Sequence, residues 1–336
     1  MKWKIGWNNA CERVIMKYKC CKYLFHQIVF DIFDIKPCCE TSMNGESLNI
    51  LENFKSENFD IQMYIDKRQE YIDIFKQGSI PKTCSNCPII EEKDWDLEEV
   101  YFDRIIACNI PKCSCNCTYC VYTHNNQENK KKFNMLTPYN IRPLLTELYD
   151  RNMIKEKFFL VIGGGECAEF PIGELEWLVY FTCVLHGKIQ ILSSGIKYSP
   201  TIAQILSNGN AELIISPDSG KKETFEKIKR VKAYNNVWRN LEKYIETAAG
   251  NHNAEIQIKY IIIPDVNDSL EEINAFLKKC KKVKCSHVHI DVEHFWFQEN
   301  KNRPMPKNVK EVYHFLCSQN LNISFSAETE YWFKSE

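Results

Sequence analysis

From about residue 99 onward the chain alternates two hydrophobic rhythms. Short runs rich in Ile, Val, Leu and Phe recur at 101–108, 158–164, 188–194, 212–216, 256–263, 287–293 and 321–326, and these predict strands. Between them, apolar residues return every three or four positions, predicting helices over 172–185, 222–231, 236–249, 269–281 and 307–319. Thr137-Pro138 and Ser199-Pro200 each offer a capping hydroxyl followed by proline at the first helical position, so each marks a helix start. Repeated strand–helix alternation implies parallel strands joined by helical crossovers, in an open sheet or a full or partial barrel.

The strand at 287–293 refines that expectation. His287, His289, Asp291 and Glu293 fall on one face, and Val288, Ile290 and Val292 on the other. Gln257 and Lys259 alternate with Ile256 and Ile258 in the same way. A packed eight-stranded barrel fills its interior with branched apolar side chains. A polar inner face therefore predicts a wider or incomplete barrel with room for a ligand.

Residues 1–98 do not follow this rhythm. They carry Cys11, Cys20, Cys21, Cys38, Cys39, Cys84 and Cys87 around a polar stretch at 40–58, and read as a separate cysteine-rich module. The expected division is thus 1–98 and 99–336. The Lys130-Lys131-Lys132 run reads as a solvated loop.

Composition enters where it changes this picture. The 336 residues are 44% hydrophobic and net to −1, from 43 Lys+Arg against 44 Asp+Glu, which suits a folded chain with no phosphate-neutralising role. Nucleic acid is not an expected partner. The N-terminus shows no apolar signal segment and no run is long enough to span a membrane, so a cytoplasmic location is expected. There are 17 cysteines, an odd number, and in a reducing compartment clustered cysteines are more often metal ligands than disulfides.

The sharpest motif is Cys113-Ser-Cys-Asn-Cys117-Thr-Tyr-Cys120. The C-x3-C-x2-C spacing of Cys113, Cys117 and Cys120 supplies three thiolates, leaving one iron of a [4Fe–4S] cluster without a protein ligand. Zinc is the alternative, with four thiolates drawn from Cys108, Cys113, Cys115, Cys117 and Cys120.

In these residues the sequence resembles the radical SAM superfamily. Tyr119 fills the aromatic position before the last cysteine, and Gly164-Gly165-Glu166 at the second strand's end is similar to the family's GGE motif. Ser193-Ser194-Gly195, Ser216 with Asp218, and Asn267 follow at successive strand ends. The resemblance runs from about Tyr101 to Glu293. It implies a partial (β/α)6-type TIM barrel, with catalytic Cys113, Cys117 and Cys120 holding the cluster. S-adenosylmethionine would be bound by Tyr119, Gly164, Gly165, Glu166, Ser194, Ser216, Asp218 and Asn267. It further implies reductive cleavage of S-adenosylmethionine to a 5′-deoxyadenosyl radical that abstracts hydrogen from a substrate. The electron would come from an external donor such as flavodoxin or ferredoxin.

The N-terminal cysteines are similar to the auxiliary-cluster module of SPASM-type members, here placed before the barrel. That resemblance implies a second [4Fe–4S] cluster held by Cys20 or Cys21, Cys38 or Cys39, Cys84 and Cys87, with a structural zinc as its rival. An auxiliary cluster favours an oxidoreductase or maturase acting on a peptide or sugar-type substrate, a small molecule otherwise. The alternative is a non-catalytic zinc- or iron–sulfur-stabilised binding or electron-transfer protein.

Overall fold

The computed structural model describes residues 17–32, 34–38, 48, 60–85, 87, 89–95, 99–123, 127–171, 173–285, 287–300, 303–319, 321–326, 329–330 and 333. Cys11 and Cys39 lie outside the described residues. So do parts of the polar stretch at 40–58.

The N-terminal part holds β1 (Tyr18–Cys21), α1 (Tyr23–His26), β2 (Gln27–Phe30), β3 (Ile35–Lys36), α2 (Ile61–Lys76) and β4 (Ile90–Lys93). The longer part follows as β5 (Phe102–Ala107), α3 (Gln127–Met135), α4 (Arg142–Asp150), β6 (Ile154–Ile162), α5 (Glu174–Val184), β7 (Lys188–Ser193), α6 (Pro200–Asn208) and β8 (Ala211–Ile215). It ends with α7 (Lys222–Lys229), α8 (Tyr234–Ala248), β9 (Ala254–Ile262), α9 (Leu270–Lys282), β10 (His287–Val292), α10 (His294–Asn300), α11 (Lys307–Cys317) and β11 (Asn322–Phe325).

Among the described residues, nine strands form one open sheet in the order β11-β10-β9-β8-β7-β6-β5-β2-β3, and a separate pair joins β1 to β4. From β11 to β2 every neighbouring pair is parallel; only β3 runs antiparallel, against β2. Among the described residues the edge strands β11 and β3 do not pair with each other, so the barrel is partial, as the polar inner face predicted. Among the described residues no helix is long and apolar enough to cross a membrane.

The parallel register puts the apolar set of each strand against the helices. Ile105, Leu160, Ile191, Leu213, Ile258, Ile262 and Ile290 are wholly buried in one core with Leu145, Leu206, Phe225, Leu241 and Phe276 from the helices. A much smaller apolar cluster of Val29, Ile106 and Val161, with Cys108, Phe159 and Leu192 packed on it, lines the opposite face below the cysteine loop. On β9 and β10 that inner face turns polar. Lys259 lies opposite His289 in register and pairs with Asp291 at 2.8 Å. Glu293 does not continue the ladder: its carboxylate accepts from the backbone N–H of Phe295 (3.1 Å) and Trp296 (2.6 Å) and starts α10.

Two expectations are corrected here. The sheet itself runs across residue 98: β2 pairs with β5, and β3 extends that edge. The N-terminal part does keep a small core of its own, in which Leu24, Phe25, Phe75 and Trp95 are buried. Thr137-Pro138 starts no helix; α4 begins at Arg142. The backbone there is drawn inward by Tyr139, whose carbonyl accepts from Asn109 Nδ2 (2.7 Å) and whose hydroxyl donates to Asp31 O (2.7 Å). Lys130-Lys131-Lys132 lies in α3, with Lys130 buried and its ammonium 5.2 Å from the centre of the Phe133 ring. By contrast Ser199 caps α6 as expected, accepting from Ile202 N at 3.4 Å.

Candidate active site

In parallel α/β sheets, sites are built where strands end and loops begin, at the carboxyl edge. The cysteine motif leaves that edge directly after β5. Two glycines at the end of β6 let it lie there. Gly164 has φ +83°, and a side-chain carbon on it would come 2.4 Å from Cys108 O. On Gly165 the same atom would meet Lys112 O at 2.3 Å and Ile110 O at 2.4 Å. The segment leading to Cys113 is thus pressed onto backbone that has room only for hydrogen, and Glu166 N donates to Lys112 O at 2.5 Å.

The thiols are arranged unequally. Cys113, Cys117 and Cys120 are half-buried, whereas Cys115 is 3% exposed. A hydrogen bond from Cys115 holds the Cys113 and Cys117 thiols below their ordinary range, while the same contacts push Cys115 up. The positive charge of Lys130 adds to the effect at Cys113, and that of Lys229 at Cys117. Among the described residues no three such side chains are grouped to hold a single metal ion.

A cluster of iron and sulfide fits the donor set. Three half-buried thiols share one loop with buried polar atoms that lack protein partners: both amide atoms of Asn116 and the hydroxyl of Thr123. Amide and hydroxyl donors of this kind hydrogen-bond cluster sulfur and help set its potential.

The other residues singled out in the sequence meet one another. Glu166 is 2% exposed and accepts from Ser193 Oγ (2.6 Å), Ser194 N (2.6 Å) and Ala168 N (3.2 Å), tying the end of β6 to the end of β7. Asp218 has φ +57° and is wholly buried; its carboxylate accepts from Ile261 N (3.0 Å) and Tyr119 OH (2.5 Å) and pairs with Lys229. Asn267 Nδ2 donates to Asp218 O (2.8 Å) and Ile261 O (2.9 Å), and its Oδ1 accepts from Ile263 N (2.7 Å). These three side chains are satisfied within the protein and brace the carboxyl edge. Ser194 and Ser216 are half-buried at the same edge, and Ser216 N donates to Ser193 O at 3.3 Å.

Sequence reasoning missed Lys229. The signal was available: Phe225, Ile228 and Lys229 occupy one buried face of α7 at helical spacing. Cys167 is a buried structural thiol, donating to Leu192 O at 3.1 Å.

Apart from this edge, Cys21, Cys38, Cys84 and Cys87 line one small cavity between β1, β4 and α2, with Leu24 and Phe75 forming its apolar wall. Cys20 does not line it; it is wholly buried. Burial pushes the Cys20 and Cys21 thiols up to about 12.

No protein-family model and no curated protein matches the sequence. Solved structures do. SuiB of Streptococcus suis bound to precursor peptide SuiA is 13% identical with a TM-score of 0.50, over 84% of this chain and 57% of that one. The chain therefore spans little more than half of that protein's length. A radical SAM methyltransferase from Sphaerobacter thermophilus is 13% identical with a TM-score of 0.45, over 78% of this chain and 88% of that one. Native anSMEcpe with bound AdoMet is 14% identical with a TM-score of 0.47, over 66% of this chain and 63% of that one. With its cysteine triad at the carboxyl edge of an open parallel sheet, the chain has the partial β/α barrel fold of the radical SAM enzymes.

Proposed function

We propose that this protein is a radical S-adenosylmethionine enzyme whose catalytic [4Fe–4S] cluster is held by Cys113, Cys117 and Cys120. The observation that carries the reading is the placement of those thiols on the loop after β5, whose lead-in backbone at 108–112 is seated on Gly164 and Gly165 beside the Glu166–Ser194 brace. When bound, cluster and S-adenosylmethionine supply a 5′-deoxyadenosyl radical that removes hydrogen from the substrate. The protein's part is to orient and to exclude water. Tyr119, Gly164, Gly165, Glu166, Ser194, Ser216, Asp218 and Asn267 shape the edge where S-adenosylmethionine lies. Glu166, Asp218 and Asn267 do so by fixing backbone, since their side chains already have protein partners. Below the cysteine loop the inner face is apolar around Ile106, Val161 and Leu192, which keeps water from the reacting centre.

The substrate in this reading is a peptide, and the reaction an oxidation or maturation step. The support is the likeness in fold to SuiB, which is bound to a precursor peptide, and the open barrel with its polar inner face at Lys259, His289 and Asp291. A second iron–sulfur cluster in the N-terminal part belongs to the same reading. The cavity favours Cys21, Cys38, Cys84 and Cys87 as its ligands over Cys20.

The test is anaerobic reconstitution followed by dithionite and S-adenosylmethionine, with 5′-deoxyadenosine as the readout. Wild type releases it and Cys117→Ala does not. Equal trace release from both overturns the catalytic assignment and leaves a binding or electron-transfer role.

A further inference from the structure

Burying an ammonium is unfavourable by itself and calls for a compensating partner and a reason. Lys229 is 2% exposed at the last turn of α7, and it has both. Its ammonium pairs with Asp218 at 2.5 Å, donates to the Tyr119 hydroxyl and lies 5.0 Å from the centre of that ring. Asp218 is itself held from outside the cysteine loop by Ile261 N and, through its carbonyl, by Asn267 Nδ2.

The backbone makes a second attachment at the same place. Asn116 N donates to Lys229 O (3.1 Å) and Thr118 N to Ile228 O (2.9 Å), so the residues on either side of Cys117 hang from the end of α7. Lys229 is thus locked in position next to Cys117 by its main chain and its side chain together. Reducing a thiolate-bound cluster adds one negative charge, and a fixed cation beside a ligand sulfur stabilises that extra charge. In a dry site the effect is not screened away by salt.

We propose that Lys229 is a positioning residue that raises the reduction potential of the cluster at Cys113, Cys117 and Cys120, with Asp218 and Tyr119 holding its charge beside Cys117. The inference rests on the radical S-adenosylmethionine reading for the presence of the cluster, and it concerns only the cluster's one-electron reduction.

Potentiometric titration of the reconstituted 336-residue chain, followed by electron paramagnetic resonance without S-adenosylmethionine, tests it. The decisive comparison sets Lys229→Met, which leaves the buried Asp218 carboxylate uncompensated, against Lys229→Met/Asp218→Asn, which removes both charges and keeps the site neutral. At a fixed potential near the wild-type midpoint, the ratio of reduced to oxidised cluster falls roughly tenfold in Lys229→Met and by less in the double variant, whose net charge is that of wild type. Lys229→Arg keeps the charge and stays near wild type. Equal midpoints in all proteins, or an equal fall in the arginine variant, overturns the proposal. Wild type that takes up no iron overturns both this proposal and the radical S-adenosylmethionine reading. Wild type that loads a cluster but forms no 5′-deoxyadenosine overturns that reading alone, and the titration still decides the part played by Lys229.

Discussion

Ser194 donates its backbone N–H to Glu166 Oε2 at 2.6 Å, joining the ends of two neighbouring parallel strands through one buried carboxylate. The hydroxyl of Ser193 completes the brace on Oε1. Removing the carboxylate leaves buried donors without an acceptor, and bonds to a charged group are the costly ones to lose. Glu166→Ala therefore lowers stability by about 2–3 kcal/mol in urea denaturation, and Glu166→Gln, which keeps one acceptor, by less. Equal midpoints for wild type and Glu166→Ala would count against the brace.

The glycines at the end of β6 give a sharper test, because the added atom is a single methyl. Gly165→Ala puts carbon 2.3 Å from a backbone oxygen, so the segment at 110–112 must move. The expected cost is roughly 1–3 kcal/mol, the range for overpacking a rigid site. Iron retained per chain after reconstitution falls with it. Gly250→Ala, where an added carbon meets nothing within 4 Å, leaves iron retention unchanged.

The polar ladder predicts an acid-sensitive fold. Burial, with the Lys259 charge beside it, lowers His289 from 6.5 to about 4, and its Nδ1 faces Ser324 Oγ at 2.9 Å. Between those values the unfolded chain binds a proton that the folded chain does not. Stability thus falls as pH drops from about 6.5 to 4 and is fully present above that window. Asp291, held at about 2 against its burial by Lys259, Ser326 and Thr329, extends the loss below pH 3.8. Urea midpoints across pH 4–7 measure the first effect. His289→Gln flattens that window, and an unchanged slope would show that His289 does not contribute.

The cavity in the N-terminal part makes a prediction by cysteine. With two clusters, anaerobically reconstituted wild type holds about eight irons per chain. Cys84→Ala and Cys87→Ala each lower that to about four, while Cys20→Ala leaves it near eight. Zinc retained in place of iron, or a loss in Cys20→Ala equal to that in Cys84→Ala, contradicts the ligand set.

Much of this was legible in the chain. Strand periodicity located β5 to β11 within a few residues, since one face of each strand is buried under helices and the apolar set must alternate. The spacing of Cys113, Cys117 and Cys120 and the run Gly164-Gly165-Glu166 are local, so the sequence by itself placed them at strand ends. It likewise determined the polar face shared by Lys259, His289 and Asp291.

Only the tertiary structure decided which distant residues complete the edge. Strands β2 and β3 are too short to declare a period, and their pairing with β5 depends on a register no local pattern encodes. Lys229 and Asp218 become partners because α7 returns its last turn to the cysteine loop, a contact set by how the crossover packs. Among the N-terminal cysteines, packing alone distinguishes Cys21, which lines the cavity, from Cys20, its neighbour in the chain. The sequence supplied the thiols and the polar groups; packing determined which of them share a site.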